Sequence, residues 1–243
     1  MRKRHCAPHP KSDTGAQRGR TLTGSFAGWN VLESGAENRC GQVEREGGTM
    51  GLLILIAGLA LFLGVHTLTT LRGPRAKIIA RLGEGGYKIL YALVSFAGLA
   101  LIAWGFSIYR ATGWINVWYP PVALRHLVLA LMLPAVILVV ASYIRGRIYT
   151  AVKHPMLAGV KLWALLHLLV NGDLGSIILF GSVLAWAVYD RISLKHREDA
   201  GAPPIPVGGV GNDLIAVAVG VVVYAALAFA FHPLVIGVPV IGA

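Results

Sequence analysis

The sequence predicts an all-α fold, a polytopic bundle of transmembrane helices, and three observations carry that reading. The chain of 243 residues is 56% apolar and 14% charged, whereas soluble domains average about 45–50% and about 25%. The apolar excess is gathered into six runs, most of them near the ~20 residues that cross ~30 Å of hydrocarbon. The basic residues sit in short loops between the runs and fall almost entirely on alternate loops, as the positive-inside rule requires.

The first 49 residues stand apart. They are polar, rich in Gly, Arg and Ser, and show no helical or strand period. Met50 is followed at once by GLLILIAGLALFLGVH. Residues 1–49 therefore read as a disordered tail or as a mis-annotated extension, and 50–243 as the membrane domain. The second reading is favoured: Glu46-Gly47-Gly48 has purine-rich codons, as a ribosome-binding site upstream of Met50 would. Eight of the 22 Lys and Arg also lie in 1–49 and would have to cross the membrane. A cleavable signal peptide fits poorly, because the apolar run starts late and lacks a small-residue cleavage site.

The six spans are read at 51–71, 87–109, 121–143, 155–171, 174–190 and 213–232. The fourth and fifth are short, and Asn171-Gly172-Asp173 joins them by a tight hairpin. Loops 72–86 (with the adjoining Lys88), 144–154 and 191–212 hold eleven Lys and Arg, against Arg110 and Arg125 on the other side. The basic loops are thus expected in the cytoplasm, with both ends of the membrane domain facing outward. Tyr87, Tyr91, Tyr143, Tyr149 and Tyr189 mark the inner interface, and Tyr109, Trp114, Trp118 and Tyr119 the outer one. Pro203-Pro204 and Gly208-Gly209 make 191–212 a solvated linker.

The formal net charge of +11 does not point to nucleic acid, because the charges that lie in the membrane domain are those that set topology. The lipid bilayer is the partner the composition demands. No Walker loop, GxGxxG, HExxH or CxxC is present. Both cysteines, Cys6 and Cys40, precede Met50, so thiolate ligation of a metal in the membrane domain is excluded.

Ionisable side chains inside hydrocarbon are costly and mark function, and neutral imidazole ligates haem iron. His66, His126 and His167 are embedded among Leu, Val and Ala. His154 and His167 bracket the fourth span and are ~20 Å apart along one helix, so they cannot share an iron. His126 and His167 match in depth on the outer side, His66 and His154 on the inner. His232 is a third outer-side candidate. Singly, His154 and His232 also read as interfacial histidines, and His154-Pro155 as a helix start. Lys161 lies near the midplane, where it pairs with a carboxylate such as Asp190 or Asp213, or with a ligand anion such as a haem propionate. Arg125 is a second propionate candidate.

GVHT in the first span, Arg125-His126 opening the third, HPMLAGVKLWALLHLLVNGD, YDRISLKHRE and a terminal HPLVIGV together resemble the NnrU family of bacterial inner-membrane proteins. The resemblance covers 50–243. It implies a place in the inner membrane and a link to denitrification, through production of active nitrite and nitric oxide reductases. The family is also similar to the plant zeta-carotene isomerase, a membrane haem b enzyme that isomerises a cis double bond when its reduced iron releases an axial ligand. Residue by residue, that similarity implies His66 and His167 as haem ligands, with His154 as neighbour. Depth instead pairs His126 with His167, and His167 is common to both. The expected function is haem b binding, with isomerase or redox activity on a lipophilic substrate. A transporter relaying protons or anions, and an assembly factor for respiratory reductases, stand beside it.

Overall fold

The computed structural model describes residues 27–198 and 207–240, with side chains over 46–196 and 207–240. Seven α-helices are assigned: α1 (Ala27–Leu68), α2 (Arg72–Ala111), α3 (Val122–Ala141), α4 (Arg147–Val152), α5 (Pro155–Val170), α6 (Leu174–Glu198) and α7 (Val210–Ala226). A π-helical segment, Leu227–Ile236, continues α7. No strand occurs among the described residues. Five helical stretches are long and apolar enough to cross a membrane, and α5 is a shorter apolar one. The all-α membrane bundle therefore stands, and the six expected spans each have a helix.

Two segments differ from the expectation. Residues 27–49 lack a sequence period, yet α1 begins at Ala27 and runs unbroken through Met50. Helix propagation adds one hydrogen bond per residue fixed once a nucleus exists, and the apolar span supplies that nucleus. Gly47 and Gly48 lie against Thr112 and Gly113 beyond the end of α2. Residues 1–26 and Pro203-Pro204 lie outside the described residues. The basic stretch 72–86 is also helical rather than a loop. It is set off from the spanning part of α2 at Gly83, whose φ of 71° and ψ of 168° suit glycine alone.

Helices α1 and α2 form a close hairpin. Gly51 and Gly58 of α1 meet the backbone of α2 near Tyr109 and Ile102, and Gly98 and Gly105 of α2 meet that of α1 near Phe62 and Leu55. Small residues let backbones approach and so supply dispersion contact where lipid removes the hydrophobic drive. Leu55, Leu59 and Ile102 form the buried cluster at this seam, with Ile178 and Val183 of α6 packed on it. On the other side of the molecule α3 packs against α5 and α7, and α5 against α6. Helix α6 thus touches α1 on one side and α5 on the other. Pro134 lies inside α3, and Tyr224 of α7 donates to the Leu129 carbonyl at 2.9 Å, one way neighbours stabilise a proline-bearing span.

Each end is tied by polar contacts. At the hairpin end, Val117 and Trp118 N–H both donate to the Gly172 carbonyl, at 2.8 and 3.1 Å, and Leu174 N–H donates to Ile115 O at 2.9 Å. Gly172 must be glycine because the Trp118 carbonyl occupies the space of a Cβ. Asp173, 4% exposed, caps α6 by accepting from Ser176 N–H (3.0 Å) and Ser176 Oγ (2.6 Å), and Arg110 approaches it at 3.5 Å. At the basic end, Asp213 accepts from the N–H groups of Arg147 (3.1 Å) and Ile148 (3.0 Å), closing the N-terminus of α4.

Candidate histidine site

Helix α5 carries His167 one turn from its C-terminus. Its Nδ1 is 2.9 Å from the Trp163 carbonyl. A carbonyl only accepts, so Nδ1 carries the proton and Nε2 is left as a lone-pair donor. The ring stacks on Phe180 of α6 with 4.5 Å between centroids and lies 4.8 Å from Trp163. Its other neighbour is His232, with ring centroids 6.4 Å apart and planes 20° from parallel.

His232 reaches this position through the π-helical turn. Pro233 follows it inside the helix, and a proline ring clashes with the carbonyl four residues back while removing a donor. Widening to the π form is one way to relieve that clash, and π turns recur at functional sites. His232 Nδ1 bonds to Leu227 O, five residues earlier, at 2.7 Å. Gly237 ends the segment in the left-handed region at φ 76°. Both histidines therefore show the arrangement of metal-ligating imidazoles, one nitrogen fixed by a backbone carbonyl and the other available.

His66 is in a different place. Its Nδ1 bonds to Phe62 O at 2.7 Å, and its ring lies 5.2 Å from Tyr91 of α2 and 5.6 Å from Trp186 of α6. Phe180 and Trp186 are six residues apart on one helix, about 9 Å along its axis and about 120° around it. The structure thus brings His167 to His232 and sets His66 apart on another level and face of α6. His126 and Arg125 are exposed near the start of α3. His154 is the N-cap residue of α5, with Pro155 at the first helical position and no side-chain cap bond.

Lys161 is half-buried and meets no carboxylate among the described residues; the ion pairs there are Lys88–Glu84 and Arg110–Asp173. Asp213 is engaged by the α4 backbone, so it does not neutralise Lys161. No group of three or more His, Cys, Asp or Glu side chains gathers among the described residues.

The sequence offers His232, the ring neighbour of His167, only as a third candidate at the same expected depth. That expected depth is the usable signal. What hid the contact was the π turn, which turns the imidazole toward α5 and leaves no apolar period of its own.

Fold and site together define a class: a multi-helix membrane protein with a pair of facing imidazoles near one end of the bundle. Comparison with protein families matches residues 54–240 to the NnrU protein family. The chain belongs to that family. Neither the curated proteins nor the solved structures returned a match.

Proposed function

We propose that this protein binds haem b through His167 and His232. The spacing of those two rings carries the reading. Imidazole nitrogens sit about 2.0–2.1 Å from a bound metal, so two imidazoles facing one metal hold their ring centres roughly 6 Å apart. The ring centres stand 6.4 Å apart, and the pair offers two ligands, the number taken by an iron already held in a porphyrin. The residues present fit the group in donor type, number and tautomer.

The chain's own contribution is to hold and orient. The Trp163 and Leu227 carbonyls keep both Nδ1 atoms protonated, so each Nε2 stays a ligand. Phe180 and Trp163 cover one face and the edge of His167 and shield it from water. Held by His167 and His232, haem b would supply one-electron redox chemistry or Lewis-acid chemistry for cis–trans isomerisation of a lipophilic substrate. NnrU membership supports a setting in the bacterial inner membrane, basic loops inward, serving production of active nitrite and nitric oxide reductases.

The test is the visible absorption spectrum of detergent-purified protein. A Soret band with low-spin bis-histidine character is expected, lost or converted to high spin in His167→Ala and in His232→Ala, and unchanged in His126→Ala. Protein that carries no haem and takes none up on reconstitution would overturn the reading. A spectrum altered by His66→Ala but not by His232→Ala would return the second ligand to His66, the residue the family resemblance implies.

A further inference from the structure

We infer that the junction of α1, α2 and α6 near the basic end holds a second site, for a membrane-soluble ligand with a flat, carbonyl-bearing head: the chemistry of a quinone. It shares no side chain with the His167–His232 pair, and the inference does not rest on haem.

A cavity of about 410 Å³ opens there, lined by Thr69 at the end of α1, Arg75, Tyr87, Lys88 and Tyr91 of α2, and Asp190 and Leu194 of α6. That volume falls within the roughly 300–1,000 Å³ of small-molecule sites. Behind it stand rings: His66 lies 5.2 Å from Tyr91 and 5.6 Å from Trp186, and Tyr91 lies 6.3 Å from Tyr87. The wall is thus aromatic and suited to a planar head.

Its polar atoms state what the head must offer. Tyr87 is 7% exposed, and its hydroxyl is buried with no hydrogen-bond partner. The indole nitrogen of Trp186 is also buried without one. Unpartnered buried groups are rare and call for a reason. An indole N–H only donates, so its missing partner is an acceptor. His66 Nδ1 is taken by the Phe62 carbonyl, which leaves Nε2, on a ring beside Tyr91 and Trp186, as a proton acceptor for a reduced, hydroxyl-bearing form. Charge on the cavity wall is mixed: Arg75 lies over the Tyr87 ring at 5.6 Å, Lys88 is paired with Glu84 at 2.9 Å, and Asp190 also lines the cavity. With Lys88 already paired and a carboxylate on the wall, an uncharged head is favoured over a fully anionic one.

The tail has a place as well. A second groove of about 320 Å³ lies between α1 and α6, lined by Ile56, Leu59, Leu63, Ile178 and Ser182 among others. Ile178, Ser182, Trp186, Asp190 and Leu194 follow one another at four-residue steps, which places them as successive neighbours along α6. Trp186 therefore stands between the apolar groove and the polar cavity. A ligand with a carbonyl head in one and an isoprenoid or alkyl tail in the other would follow this ladder.

The experiment measures retention of radiolabelled decylubiquinone by the purified full-length protein in detergent. Saturable binding near one per chain is expected. Trp186→Phe and Tyr87→Phe keep the rings and remove one donor each, and each should weaken binding roughly tenfold. Trp104→Phe, a largely exposed position on the same helix as Tyr87, is the control and should bind as wild type. Thermal melting confirms that each variant is folded. Retention that never saturates, or that both conservative variants leave unchanged, overturns the proposal. So does competition by phosphatidylglycerol that depends on Arg75 but not on Trp186, since the cavity would then be a lipid-headgroup site.

Discussion

Lys161 shows how a single residue resists a simple account. A cation near the midplane of an apolar helix ordinarily finds a carboxylate, and Lys161 finds none among the described residues. It therefore bears a desolvation cost with no ion pair to offset it. Replacing it with methionine should raise thermal stability in detergent by part of the ~2.5–3.5 kcal/mol that insertion scales assign to a central lysine. A lower melting temperature in Lys161→Met would mean that the ammonium group is held by something after all. Asp173 is the opposite case, buried and fully used by Ser176 and Arg110. Asp173→Ala should cost about 1–2 kcal/mol through loss of the cap, read as a fall in unfolding midpoint.

Among the elements, the hairpin between α5 and α6 and the π turn carry the clearest consequences. Gly172 has the Trp118 carbonyl where a Cβ would go, so Gly172→Ala must push the α2–α3 connection off the hairpin. A loss of about 1–3 kcal/mol is expected, the usual range for forced overpacking. The π turn supplies a sharper test of the histidine pair. Deleting Ala230 from Leu227–Ile236 removes one residue of the wide turn, which rotates His232 by about 100°. The apolar segment remains apolar, so the protein should still insert and purify, while the bis-histidine spectrum is lost. A deletion variant with an unchanged spectrum would exclude His232 as a ligand.

The same elements show how much the sequence made legible. Apolar run length located all six apolar helices, five of them long enough to cross a membrane, because it follows from bilayer thickness and acts locally. The Asn171-Gly172-Asp173 hairpin was legible for the same reason, since turn chemistry is local. The His167–His232 contact was not, because it depends on which face each helix presents after packing and on a change of helical pitch at Pro233. The extension of α1 to Ala27 was hidden by a polar composition that suits coil and helix alike. His66 reads as an embedded histidine from the apolar run around it, but its neighbours Tyr91 and Trp186 come from two other helices and no local pattern announces them.

For the whole molecule, α6 is the element to watch. It packs on α1, the partner of α2, and on α5, which in turn packs on α3. It places Phe180 against His167 and Trp186 against His66. Both clusters are thus mounted on one rod, like two cams on a common shaft. A few degrees of twist in that rod displaces both aromatic rings together, whichever end the torque is applied to.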